Sequence, residues 1–519
     1  MVESSGEVQF FSYNNPLIAK LLKNDGRLFD VASAGAVLSW DEEAYMPKGG
    51  ADSRACVTAT IATLHHKLLT SKKLARLIER LENALQANPH DFTTHDHLLL
   101  QRMSRDHRRA TKVSAALVEK ISKAHSEGLL AWRKARGESN FKLFQEALAK
   151  VVELEKERAV AIGFQGSIYN YFLDEHEPGL KVEDVGQIFE AIKVVIKEVL
   201  LKVVNSGITV NQEFLKSKLP EEKLGKFCEV LARAMGFDFD RGKMDVTTHP
   251  MTTSFTQNDV RFSVRYTEEF FTNVIFSAIH EAGHGLYEQG IDSRFTRTSL
   301  GCVESLGVHE SQSRFWENCV GRSPMFWDYW YPVMLSYVPE ILSSEVKPMD
   351  FVRAVNKVEP TLIRVDADEV TYNLHIILRY EIERDLLEGK ISVKDLPEVW
   401  NAKVKEYLGI PVPDDKRGVL QDIHWADGSF GYFPTYTLGN LYAAQIFAAI
   451  KRSLGENYFD RAENYADMRP IQEWLREKIH GFGATINSRE LIKLATGEEP
   501  NPKYFRDYLE EKFNVIYGW

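Results

Sequence analysis

The sequence predicts an all-α protein carrying one small β-hairpin. Three observations carry that expectation. From about Thr58 to Val160, Leu64, Leu68, Leu69, Leu74, Leu77 and Leu81 recur at three- and four-residue spacing with Lys, Arg and Glu between them, the period of an amphipathic helix. A second helical run, Phe270, Phe271, Val274, Ile275, Ala278 and Ile279, leads into Ser277–Leu286. One stretch, Val260-Arg261-Phe262-Ser263-Val264-Arg265-Tyr266, alternates apolar and polar residues, which is the strand period.

Taken in order, Val37 to Cys56 holds Pro47, Gly49 and Gly50, a turn between helices. Helices are expected over 94–125, 126–136 and 139–162 as a helical wall with one wet side. His95, His97 and His107 share no ligand geometry there and read as surface residues. Residues 181–236 read as two more helices. The texture then changes. Asp245 to Phe255 is rich in β-branched residues, and Thr256-Gln257-Asn258-Asp259 forms a turn. The expected hairpin feeds into a helix capped by Thr267, with Glu268 and Glu269 in its first turn and Gly290 as its stop. An edge of this kind can also take an extended peptide as an added strand.

The helix contains His280-Glu281-Ala282-Gly283-His284. Residues four apart lie one above the other on one helix face. Two imidazoles so placed can reach one Zn²⁺ at about 2.0–2.1 Å. Glu281, about 100° round the axis, suits a general base rather than a ligand. A catalytic site needs a third protein ligand and an open position. The best candidate is Glu310, in Leu306 to Asn318, a second helix ending near Gly321. Glu304 and Glu317 are competitors. Two dozen residues or so separate His284 from Glu310, room for a loop and a helical return.

Beyond the metal motif the likeness becomes specific. His280 to Gly290 followed by His309-Glu310-Ser311-Gln312 resembles the carboxypeptidase Taq family of metallocarboxypeptidases. His249-Pro250 stands in place, with Met251 where that family usually has Phe. Asp259-x-Arg261-x-Ser263 carries Ser for Thr. Ile363-Arg364-x-x-Ala367-Asp368 and Gly418-x-x-Gln421-Asp422-x-His424-Trp425 match outright. Trp40-Asp41 to Met46-Pro47 and Leu494 to Leu509 also fit, so the likeness spans nearly the whole chain.

The resemblance implies one domain over 1–519, with two helical halves flanking a deep groove and the metal on its floor. Neurolysin-like oligopeptidases and angiotensin-converting enzyme share that architecture. It implies Glu310 as third ligand, one Zn²⁺ or Co²⁺ per chain, and a homodimer. It also implies release of single C-terminal residues from peptides with a free C-terminus. Glu281 then takes the proton of the attacking water. The order His, Gly-containing loop, Tyr in residues 424–436 is similar to that of neurolysin-like oligopeptidases. That makes His424 and Tyr436 the oxyanion donors, with Tyr432 in reserve and Pro434 opening a helix.

A helix over 361–388 is expected, with Ile363, Ala367, Val370, Leu374 and Ile377 on one stripe. Arg364, Asp368, Thr371 and His375 form a polar one. Arg364 either makes an i,i+4 surface pair with Asp368 or faces the groove and binds the substrate carboxylate. Arg261, on the hairpin, is the alternative.

Two rivals remain: an endo-oligopeptidase on the same fold, and a helical scaffold with a structural metal. Structural zinc is closed by four Cys or His ligands, and no fourth such ligand is evident. The net charge of −10 and pI near 5.9 argue against a nucleic-acid surface. No apolar run approaches a membrane span. The acidic Met1–Glu7 stretch has no signal-peptide core. Cys56, Cys228, Cys302 and Cys319 read as reduced thiols. A cytoplasmic enzyme is expected.

Overall fold

The computed structural model describes residues 10–267, 269–339 and 346–519. Met1–Glu7 and Glu268 lie outside them. Helices dominate, and one three-stranded sheet interrupts them. The first helix, Pro16–Ala44, starts where Asn15 accepts a hydrogen bond from the Leu17 amide and Pro16 takes N1, a position where its missing N–H costs nothing. Lys48–Gly50 makes the expected turn into Ala51–Leu69. Lys72–Ala87 follows and buries Leu74, Leu77 and Leu81, whereas Leu64 is exposed.

The wall of helices is divided differently from the expectation. Thr94–Lys112 ends at Val113, and one helix then runs unbroken over Ala115–Glu138. There is no break at 125/126. Ser114 decides this, since its hydroxyl accepts from the Leu117 amide as an N-cap does. Lys142–Ile162 is as expected. His107 is buried, with Nδ1 against the Leu69 carbonyl at 2.6 Å, so it packs rather than faces water. Val182–Ser206 and Glu221–Met235 are the two helices expected over 181–236.

The hairpin gains a third strand. β1 (Gly242–Val246), β2 (Thr252–Thr256) and β3 (Asp259–Val264) lie in the order β1-β3-β2, with β1 parallel and β2 antiparallel to β3. Val260, Phe262 and Val264 are fully buried, and Val260 packs toward Gly285 of the next helix.

That helix is Thr272–Gly290. It starts five residues later than Thr267, whose hydroxyl instead contacts the Phe270 carbonyl. Gly290 is its last residue. A Cβ there would lie 2.5 Å from His480, so close packing demands the glycine, not a left-handed cap. The return helix is Leu306–Arg314, continued as a wider π turn over Phe315–Val320.

Residues 361–371 form no α-helix, only one short 3-10 turn, and the α-helix runs over Tyr372–Leu387. Asp368 accepts from the Val370 and Thr371 amides and from the Thr371 hydroxyl. Such local bonds offer the backbone an alternative to helix. Arg364 therefore sits on a short turn, Arg364–Asp366. A loop over 418–433 leads into the Pro434–Leu454 helix, with Pro434 in its first turn. No described helix is long and apolar enough to cross a membrane.

Candidate functional site

The Thr272–Gly290 helix and the Leu306–Arg314 helix cross closely enough that a Cβ on Gly283 would lie 2.9 Å from the backbone of Gln312. The Pro434–Leu454 helix closes from the other side. A Cβ on Gly439 would lie 2.5 Å from Glu310. These two glycines let three helices converge on one point.

At that point stand His280, His284 and Glu310, whose ligating atoms lie within 4.8 Å of one another. Glu310 Oε2 is 3.7 Å from His280 Nε2 and 3.4 Å from His284 Nε2. Donors about 2 Å from one tetrahedral ion stand roughly 3.3 Å apart, so this spacing fits a single divalent metal. Two imidazoles and one carboxylate are also the donor set of an open, catalytic site.

The surroundings fix how each donor points. Glu317, the competitor, sits 2.9 Å from His280 Nδ1. Its carboxylate accepts a hydrogen bond from Nδ1–H, which leaves the Nε2 lone pair facing Glu310, the arrangement that orients metal-binding histidines. Burial raises the Glu317 carboxyl, but His280, Arg314 and Arg322 outweigh it and hold it far below the usual range. Glu310 is likewise pulled well down, against burial, by Arg314 and the two histidines. Arg314 Nε lies 2.6 Å from Glu310. Burial presses the His284 imidazole down to about 3, so it is neutral and able to ligate. Glu304, the other competitor, instead pairs with Arg102 and Arg105 and takes no part.

Glu281 lines a cavity of about 600 Å³ together with His280, Arg314, Phe276 and Tyr372. Thr252, on the edge strand β2, places its hydroxyl 2.7 Å from Glu281 Oε2 and 2.9 Å from the Glu281 carbonyl oxygen; among the described residues no hydrogen bond reaches Oε1. Burial is the largest influence on Glu281 and raises its carboxyl.

On the far side of the site, His424, Tyr432 and Tyr436 cluster. Tyr432 and Tyr436 rings are 5.3 Å apart, and His424 is 5.4 Å from Tyr432 and 6.5 Å from Tyr436. Burial pushes His424 down to about 4 and Tyr432 up to about 12, and sets Tyr436 well above its ordinary value. All three are neutral near pH 7, and each carries a hydrogen to donate.

Arg364 belongs to the same cluster. Its guanidinium lies 5.1 Å from the Tyr436 ring, donates to Asp422 Oδ1 from Nε at 3.0 Å and Nη2 at 2.9 Å, and donates to the Tyr372 hydroxyl at 3.1 Å. The alternative, a pair with Asp368, is not formed. Arg379 holds the other oxygen of Asp422, at 2.7 Å from Nε and 2.6 Å from Nη2. Two guanidiniums thus share one carboxylate. Arg261 is elsewhere. It alternates with Val260 and Phe262, so it points away from the Thr272–Gly290 helix, and both its contacts to Asp259 are at 2.9 Å.

Sequence reasoning missed Thr252 and Tyr372. Thr252 stands just after the His249-Pro250 motif, and only strand register brings it to Glu281. Tyr372 opens a helix whose start the local pattern misplaces.

Helices packed around an open three-donor set, with a spare glutamate beside it, are the frame of a metal-dependent peptidase. Residues 20–513 match the family model of the carboxypeptidase Taq (M32) metallopeptidases, and the chain belongs to that family. It is 38% identical over 501 residues to thermostable carboxypeptidase 1 of Thermus thermophilus, covering 94% of this chain and 96% of that protein. Against carboxypeptidase 1 of Bacillus subtilis it is 37% identical over 491 residues, covering 95% of this chain and 97% of that one. The crystal structure of the M32 carboxypeptidase from Deinococcus radiodurans R1 superposes with a TM-score of 0.92 at 34% identity, covering 97% of this chain and all of that one.

Proposed function

We propose that the chain is a zinc-dependent metallocarboxypeptidase that releases single residues from peptides with a free C-terminus. Cobalt is the alternative ion, and one ion binds per chain. The convergence of His280, His284 and Glu310 beside Glu281 carries this reading. A divalent ion bound by those three residues supplies Lewis acidity toward a carbonyl oxygen and makes water more acidic. Glu281, steadied by Thr252, accepts a proton from the attacking water on Oε1 and passes it to the departing amine. His424 and Tyr436 donate to the oxyanion, with Tyr432 next to them. Such donors contribute about 3–4 kcal/mol each in comparable sites. The shared Asp422 leaves the Arg364–Asp422–Arg379 cluster one positive charge in excess, which suits a substrate carboxylate.

The test is mass spectrometry of products from an unstructured peptide, with and without chelator. A ladder of peptides shortened one residue at a time from the C-terminus is expected. It should vanish with chelator and return with Zn²⁺ or Co²⁺. Internal fragments of the same peptide, or undiminished cleavage in metal-free protein, would overturn the reading.

Thr252 gives a second expectation. A hydrogen bond to a charged group is worth about 1.5–3 kcal/mol, so Thr252→Val should lower kcat by roughly 10- to 100-fold with little change in bound metal. Thr252→Ser keeps the hydroxyl and should stay within about 3-fold of wild type. Steady-state kinetics on both variants checks this. Equal losses would show that the fit of the whole side chain, not the hydroxyl alone, is what matters.

A further inference from the structure

Glu383 has no part in the chemistry described above, yet it is fully buried in the Tyr372–Leu387 helix. No Lys or Arg pairs with it among the described residues. Its two oxygens are taken by three donors. Trp425 Nε1 lies 2.8 Å from Oε1. The Tyr169 hydroxyl and the Gly431 amide lie 2.7 and 3.0 Å from Oε2.

The places of those donors in the chain matter. Trp425 directly follows His424, and Gly431 directly precedes Tyr432. One carboxylate therefore holds both ends of the loop that carries those two side chains. Tyr169, itself fully buried, anchors the carboxylate from a different helix. The loop has no regular structure to hold its shape. Gly428 and Gly431 both take positive φ, +76° and +77°, and a Cβ on Gly431 would lie 2.5 Å from the Phe172 backbone.

A buried carboxylate without a cation is costly, and burial pushes Glu383 up to about 7 even against its three donors and Arg379. Three hydrogens converge on it, and the ionised form accepts all of them with no hydrogen of its own to place. A neutral apolar or amide side chain would leave at least one donor without an acceptor.

We propose that Glu383 is a positioning residue for the reaction. It clamps residues 424–432 from within, so that His424 and Tyr432 are held in one fixed arrangement with Tyr436. The proposal rests on the reading of this loop as the source of oxyanion donors. Misplacement of such groups by about 1 Å costs on the order of 100-fold.

The test is Glu383→Gln in the metal-loaded enzyme, measured per folded, metal-loaded chain. Glutamine keeps the size but turns an amide hydrogen toward one of the donors. The expected result is a kcat lowered by roughly 30- to 300-fold with KM within about 3-fold of wild type. A purely structural role would lower the melting temperature and the folded fraction and leave kcat per loaded chain unchanged, which overturns the proposal.

His424→Ala is then made in both backgrounds. If Glu383 acts through the loop, His424→Ala costs much less in the Glu383→Gln enzyme than in wild type. Full additivity places the action of Glu383 elsewhere and also overturns it. If His424→Ala and Tyr432→Phe both leave wild-type kcat unchanged, the reading of the loop itself is what fails. Should Glu383→Gln not fold, Tyr169→Phe takes its place. It removes one donor and keeps the ring, and a kcat fall of about 3- to 10-fold at constant KM is expected. An unchanged kcat in Tyr169→Phe tells against the clamp.

Discussion

Glu281→Gln should lose at least ~10²-fold in kcat, the low end for general acid–base catalysis, while its metal content stays near wild type. Glutamine keeps the size of the side chain and its contact with Thr252, but cannot accept a proton. The metal content should hold because the three proposed donors are His280, His284 and Glu310, and none of them is altered. Glu310→Gln should behave in the opposite way. It removes the one anionic donor and leaves Arg314, now 2.6 Å from a neutral group, facing the two histidines. Metal content should fall first and activity with it. Elemental analysis beside steady-state kinetics on the two variants separates the roles. Equal loss of metal in both would mean that Glu281 is a ligand or that the site collapses as a unit.

The contrast also shows what the sequence could convey. The histidine pair and the glutamate between them were legible because helix periodicity fixes neighbours three and four residues apart. The third ligand was not fixed in that way. Glu310 and Glu317 lie on one continuous helical segment, and both reach His280, one at Nε2 and the other at Nδ1. Which edge of the ring each meets depends on the crossing at Gly283 and on the π turn over Phe315–Val320. Spacing says nothing of either. The same limit explains Arg364. Local spacing offered Asp368, four residues on, but Asp368 spends its oxygens on nearby backbone amides, and the helix begins only after it. The true partner, Asp422, is 58 residues away in sequence. Thr252 and Glu383 act across tertiary contacts alone, and no periodicity points to them. By contrast Pro434 and the turn at Pro47 to Gly50 were readable, because their backbone restrictions are local.

Arg364 is expected to find the chain end. Its side chain is buried beside Tyr436 and Tyr372, within the cluster proposed to hold the oxyanion. Asp422 takes Nε and one hydrogen of Nη2, and Tyr372 takes one hydrogen of Nη1. Each terminal nitrogen carries a second hydrogen, which together can meet a carboxylate. Because Arg379 already satisfies the other oxygen of Asp422, that pairing neutralises a charge left in excess. Truncating one partner of a partly desolvated, charge-assisted pair costs about 2–5 kcal/mol. Arg364→Ala should therefore lower kcat/KM for free-acid peptides by roughly 30- to 1,000-fold or more. On a peptide with an amidated C-terminus the same substitution should have little further effect, since the charge it meets is already gone. The comparison is a double-mutant cycle with one change on the enzyme and one on the substrate. Equal losses on both peptides would make Arg364 a structural partner of Asp422 and nothing more. A selective loss in Arg261→Ala instead would move carboxylate recognition to the sheet, against the direction in which that side chain points. Wild-type cleavage of the amidated peptide at internal bonds, as fast as the free acid, would mean that no chain end is being recognised at all.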